Sequence, residues 1–196
     1  MMLKDTSNTN RMNIIDLALP KIESEVLAVA KDIFLVLGFS ALTGISSKLM
    51  VEIGPVPITL QTLVVLLSVA FLGKKRAVAS QITYILGGLL GLPWFSRGGG
   101  IAYILNPSFG YILGFVLASY SIGALLEKGW GKNIGSFFLV MLIGNCLIYV
   151  PGLLWLGNFV EFSKLLAIGL YPFILGDILK ILLAISVSKG LDLINH

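Results

Sequence analysis

The stretch Pro172-Phe173-Ile174-Leu175-Gly176-Asp177-Ile178-Leu179-Lys180 sets two opposite charges inside an apolar run that extends over about 165–188. A helix crossing the hydrocarbon of a bilayer needs about 20 consecutive apolar residues, and this run has that length. Charges in such a place are costly, so each asks for a reason. Moving outward, the chain repeats the same texture. Further apolar stretches cover about 33–51, 56–73, 77–93, 109–126 and 134–156. A Pro/Gly-rich link at 53–57, a basic turn Lys74-Lys75-Arg76, a Gly-rich stretch at 94–108, a polar turn at 127–133 and a short loop at 157–164 separate them.

Composition agrees with this pattern. The 196 residues are 57% hydrophobic and 12% charged, and their mean hydropathy is +0.95. A soluble domain carries about 25% charged residues. An ordinary soluble globule, a disordered chain and a disulfide-rich secreted domain are therefore excluded. The fold class expected is an all-α membrane protein of six transmembrane helices. A single cysteine, Cys146, forms no internal disulfide, and the single histidine, His196, stands at the last position. Histidine-dependent catalysis and histidine metal sites are not expected. The net charge of +4 is small and reads as loop lysines, not as a nucleic-acid surface.

Loop charge gives the orientation. Lys74, Lys75, Arg76, Lys128 and Lys132 fall in the turns after the second and fourth stretches, whereas the loops after the first, third and fifth carry Arg97 and Lys164. The positive-inside rule places the first group in the cytoplasm and both termini with it, N-in and C-in. Residues 1–20 mix Lys4, Asp5, Arg11 and Asp16 with no clean apolar region, so no cleaved signal peptide is expected. The organisation expected is a cytoplasmic tail or interfacial helix over 1–30, one six-helix domain over 31–190 and a C-terminal tail over 191–196.

Several residues are candidates for chemistry. Asp177 and Lys180 lie three apart, so a helix puts them on one face. They form either a buried pair that merely neutralises itself or a pair that faces a polar cavity and is shared with a ligand. Arg97 follows Trp94-Phe95-Ser96 and precedes three glycines, an arrangement suited to a lid over a pocket or to an interfacial loop. In Gly54-Pro55-Val56-Pro57-Ile58-Thr59-Leu60-Gln61-Thr62, Thr59 is placed to cap a helix, and Gln61 is harder to explain that way. Asn106, Asn145 and Tyr149 are polar groups in apolar surroundings, suited to helix–helix hydrogen bonds or to ligand contacts. Ser40, Ala41, Gly44 and Ser47 would let another helix approach closely, within the bundle or from a separate membrane subunit. The fragment Gly131-Lys132-Asn133 is not a P-loop, and the chain contains no H-E-x-x-H, no G-x-S-x-G and no Cys/His cluster. No enzyme is expected.

Taken together, the motifs resemble those of the BioY family, the biotin-specific substrate-capture (S) components of energy-coupling factor (ECF) transporters. The resemblance rests on Gly54-Pro55-Val56-Pro57-Ile58-Thr59-Leu60-Gln61-Thr62-Leu63 and on Leu86-Gly87-Gly88-Leu89-Leu90-Gly91-Leu92-Pro93-Trp94-Phe95. Asn106-Pro107-Ser108-Phe109-Gly110-Tyr111-Ile112-Leu113-Gly114-Phe115, Tyr149-Val150-Pro151-Gly152-Leu153-Leu154-Trp155-Leu156 and the opening stretch continue it, so that it covers about 38–188. Asn106 stands where the family usually has glycine, and Ile45 interrupts a run that is often an alanine repeat.

The resemblance implies an S-component bundle with a biotin site near the outer face, in the bacterial cell (inner) membrane. It implies a transmembrane coupling (T) protein and two cytoplasmic ATPases as partners. ATP would be used by those partners, with no cofactor in this chain. Asp177 would accept from a ureido N–H of biotin, and Lys180 or Arg97 would neutralise its carboxylate. Asn106, Gln61 and Tyr149 would add polar contacts, and Trp94, Phe95 and Trp155 would pack on the ring system or tail. Ser40, Ala41, Gly44 and Ser47 would form the docking helix face. The alternatives are an S component for another vitamin, a structural membrane protein whose Asp177–Lys180 pair only locks helix packing, and a proton-coupled carrier using Asp177.

Overall fold

The computed structural model describes residues 25–194, so residues 1–24 of the tail expected at 1–30 and residues 195–196 of the tail expected at 191–196 lie outside the described residues, and the remainder of each belongs to a helix. The elements are α1 (Glu25–Ser46), a two-stranded hairpin of β1 (Met50–Val51) and β2 (Ile58–Thr59), α2 (Gln61–Leu89), α3 (Phe109–Glu127), α4 (Ile134–Leu156), the short α5 (Leu165–Gly169) and α6 (Ile174–Ile194). The strands are antiparallel, with Met50 opposite Thr59 and Val51 opposite Ile58. A short 3-10 helix at Ile101–Leu105 leads into α3.

α2 is a helix that folds back on itself. Gln61 Nε2 donates to the Tyr84 hydroxyl at 2.6 Å across 23 positions of sequence. In a straight helix those residues would stand about 35 Å apart. The reversal is at Gly73, whose φ of 74° and ψ of 175° leave the helical region. A side chain at that positive φ would be strained, so glycine is the residue that suits this apex. The arms are 61–72 and 74–89. The described residues thus hold five long helices where six spans are expected, because one residue is all that separates the arms. Among the described residues, four helical segments are long and apolar enough to cross a membrane: Val26–Ser46, Phe109–Glu127, Ile134–Leu156 and Phe162–Gly190.

Contacts define two ends of the bundle. At one end the Gly73 turn meets the start of α1 and the end of α3: Arg76 pairs with Asp32 at 2.7 Å, and Lys74 pairs with Glu127. At the other end the β hairpin, the 91–108 loop and α5 gather. Ser47 Oγ donates to Trp94 O at 2.7 Å, and Lys48 Nζ donates to Phe95 O at 2.6 Å. Between the ends, α3 and α4 touch backbone to backbone. A Cβ at Gly114 would stand 2.7 Å from Ile148 Cα, which only glycine avoids. Large apolar side chains, among them Phe34, Leu86, Leu154 and Leu175, face outward. On a membrane protein this is the lipid-facing surface.

The last apolar run is interrupted. Pro172 sits in a 3-10 turn at Tyr171–Phe173, and α6 restarts at Ile174. Proline lacks the N–H a continuing helix would need. The restart places Asp177 in the first turn of α6, where the helix dipole favours a negative charge.

Candidate functional site

A cavity opens at the end that carries the β hairpin, and it encloses about 540 Å³ of space counting its mouth. Pro57 and Thr59 from the hairpin, Gln61 and Thr62 from α2 and Ser96 from the loop line one part. Ser108 just before α3, Tyr111, Ile112 and Phe115 of α3, Asn145, Ile148 and Tyr149 of α4, Phe173, Asp177 and Lys180 of α6, and Val56 of the hairpin line the rest.

The polar centre is Asp177, which is buried. Its Oδ2 accepts from Asn145 Nδ2 at 2.9 Å and from the Tyr149 hydroxyl. Its Oδ1 accepts from Lys180 Nζ at 3.2 Å, and Lys180 Nζ also donates to Thr62 Oγ1 at 2.9 Å. The register explains the convergence. Asn145 and Tyr149 are four apart on α4, and Asp177 and Lys180 are three apart on α6, so each helix presents its pair on one face. The deep end is therefore neutral, one carboxylate against one ammonium. One acceptor is left over: Asn145 Oδ1 is buried and has no donor. A carboxylate only accepts hydrogen bonds, so the amide must turn its NH2 to Asp177 and its oxygen away. A buried acceptor without a donor is costly in a folded protein and calls for an explanation.

Of the residues expected at the site, Gln61, Tyr149, Asp177 and Lys180 line this cavity. The others lie beside it. Arg97 reaches the hairpin loop instead, donating to Gly54 O at 3.0 Å, to Pro55 O at 3.1 Å and to Glu52 Oε1 at 3.3 Å. Its fork thus matches backbone carbonyls of the loop that carries Val56 and Pro57 into the cavity wall. Trp94 lies over Gly44 and Gly87 and is parallel to the Tyr84 ring, with centroids 6.4 Å apart. Phe95 is fully buried against Gly88. Trp155 Nε1 donates to Asn106 O at 3.2 Å. Asn106 itself stands behind Ser108, whose backbone N–H it accepts at 3.0 Å.

The small residues of α1 point inward. Ser40 Oγ donates to Ser80 O at 2.7 Å, Ser47 is held by Trp94 O, and Gly44 lies under Trp94. Only Ala41 of that set is partly exposed. Sequence reasoning weighs Asn145 as a helix–helix or a ligand contact and passes over Ser96. The four-residue spacing of Asn145 and Tyr149 was the available signal.

Residues 13–194 match the model of the BioY family. The chain is 40% identical over 164 residues to the probable biotin transporter BioY of Pyrococcus horikoshii, covering 83% of this chain and 97% of that one. It is 35% identical over 156 residues to the biotin transporter BioY of Thermotoga maritima, covering 78% and 90%. It is also similar to a crystal structure of the S-component for biotin from an ECF-type ABC transporter. The TM-score is 0.74 at 27% identity, over 87% of this chain and 95% of that one.

Proposed function

The chain belongs to the BioY family, and we propose that it is a membrane subunit that captures biotin outside the cell and delivers it inward, and that it is not an enzyme. The observation that carries this reading is the buried Asp177–Lys180 pair at the end of a cavity, with an acceptor left open on Asn145. A ligand that offers N–H donors and a carbonyl suits that arrangement, and the ureido ring of biotin offers both. The ring would sit at the deep end. Asp177 and Lys180 cancel one another, so a ligand carboxylate there would add an uncompensated charge in low dielectric. The valerate carboxylate therefore points to the mouth. Ile112, Phe115, Ile148 and Phe173 supply the apolar walls for the bicycle and tail. Gln61 and Tyr149 hold the polar floor; Arg97, Asn106, Trp94, Phe95 and Trp155 shape the site from behind.

Six passes are part of the same proposal, the two arms of α2 counting as the second and third although each is shorter than a full helical span, so that the hairpin and the 91–108 loop would complete them. The cations at the Gly73 turn and at Lys128 and Lys132 favour that end as cytoplasmic, which opens the cavity outward. Energy would come from a coupling protein and two ATPases, a reading supported by the similarity to an S-component from an ECF-type ABC transporter. The bacterial inner membrane is the expected location.

The test is calorimetric titration of the detergent-purified chain with biotin, thiamin and riboflavin in the absence of ATP. Biotin alone should bind. Binding of another vitamin instead would overturn the specificity, and a folded, ligand-free chain that binds none would overturn the function.

A further inference from the structure

A second polar surface of the cavity is built by residues outside the Asp177 cluster. Ser96, from the loop, and Ser108, at the start of α3, both line the cavity, and both are more than nine-tenths buried, at 8% and 6% exposure. They are joined through Tyr103, behind them. Ser96 Oγ lies 2.8 Å from the Tyr103 hydroxyl, and that hydroxyl lies 3.2 Å from Ser108 Oγ. Ser108 Oγ in turn lies 2.8 Å from Asn106 Oδ1.

The proton positions in this chain follow from donor and acceptor arithmetic. The backbone N–H of Ser108 can only donate, so the Asn106 atom facing it at 3.0 Å must be the oxygen. That same oxygen faces Ser108 Oγ, so the Ser108 proton is committed to Asn106. Ser108 then has no proton for Tyr103 and must accept from it. Tyr103 has one proton, now committed to Ser108, so it must accept from Ser96. All three hydroxyl protons run one way, toward Asn106. None is left for the cavity.

We infer that the relay Ser96–Tyr103–Ser108–Asn106 fixes this wall as an acceptor-only surface that recognises a ring N–H of the ligand and rejects a carbonyl or carboxylate. The wall belongs to different elements from Asp177 and Asn145, which offer acceptors of their own. A cyclic urea carries two N–H groups flanking one carbonyl, so one ligand can serve both surfaces. Asn106 then acts as a positioning residue: it touches no ligand, and its side-chain oxygen sets the polarity of two serines that do. This inference rests on the reading of the cavity as the biotin site.

The experiment is calorimetry on the purified full chain with three ligands: biotin and the two lactam analogues in which one or the other ureido N–H is replaced by CH2. The parent should prefer biotin to at least one lactam by about tenfold or more, the worth of a hydrogen bond that leaves a buried acceptor open when lost. Asn106→Leu frees the Ser108 proton, so biotin should weaken by about tenfold and the preference over that lactam should fall toward unity. Asn106→Asp retains the acceptor and should keep both. Tyr103→Phe removes the link without changing shape, frees only Ser96 and should give a partial loss of preference. If the preference were unchanged in Asn106→Leu and Tyr103→Phe alike, or if the parent bound both lactams as well as biotin, the relay would have no role while the biotin reading stood. A folded parent that bound no biotin would remove both.

Discussion

The ion pairs that hold the Gly73 turn and the pair buried in the cavity at the other end of the bundle are of different kinds. At the Gly73 end, Lys74–Glu127 and Arg76–Asp32 tie the α2 turn to α3 and α1, with side-chain exposures of 24% and 53%, and 21% and 46%. Solvated pairs of this sort contribute about 0–1 kcal/mol each. At the cavity end, Lys180 and Asp177 are 8% and 6% exposed. Burying both ions costs several kcal/mol apiece, and an apolar pair of similar volume often serves stability as well or better. The first set needs no explanation beyond holding a turn. The second, with Asn145 Oδ1 open beside it, is accounted for by a ligand.

The largest effect should come from breaking the buried pair on one side only. Asp177→Ala leaves Lys180 buried with only Thr62 as a partner. It should lower stability by about 3–5 kcal/mol and remove measurable biotin binding, as read by denaturation and calorimetry. Asp177→Asn keeps the shape and should weaken binding sharply in a chain that remains folded. Removing both charges sharpens the contrast. The double variant Asp177→Leu with Lys180→Met should regain stability to within about 1–2 kcal/mol of the parent, yet still not bind. Next in size is Asn145→Leu, which removes the open acceptor together with the donor to Asp177. Its biotin affinity should fall by about tenfold, with a smaller effect on the melting midpoint. Smallest is Glu127→Gln at the opposite end, which should cost about 1 kcal/mol or less and leave biotin affinity unchanged. A binding loss in Glu127→Gln as large as that in Asn145→Leu would break the comparison.

Much of the fold was legible because the apolar runs are bounded by chemically explicit stops. The run expected at 134–156 is α4 (Ile134–Leu156), started by Asn133, whose Oδ1 accepts the Ser136 N–H at 2.8 Å. The run at 109–126 is α3 (Phe109–Glu127) to within one residue. The run at 165–188 is broken at Pro172, whose ring removes the N–H a continuing helix would need, and restarts at Ile174. The joined α2 was not legible either. Lys74-Lys75-Arg76 looked like a loop, and the arms turn on one glycine.

For the site, polar residues set deep in apolar runs gave themselves away: Asp177, Lys180, Gln61 and Tyr149 have no cheap place except a shared interior. Aromatics in a Gly-rich loop do not reveal their direction in the same way. Trp94 and Phe95 turned into hollows left by Gly44, Gly87 and Gly88, distant in sequence or set by backbone path. Arg97 likewise found carbonyls of the hairpin rather than the cavity, since a guanidinium is satisfied by any suitably spaced acceptors. Ser96 was silent because small hydroxyls in loops are common, and the contacts that join it to Ser108 through Tyr103 exist only in the fold.

The most direct test of the account is the thermal unfolding midpoint of the purified chain with and without biotin, measured beside the Asp177→Leu, Lys180→Met double variant. A ligand that binds only the native state must raise its stability. The account predicts that biotin raises the midpoint of the parent and leaves that of the double variant, itself stable, unmoved. A parent that is folded, free of ligand and unshifted by biotin, or a double variant shifted as far as the parent, would contradict it.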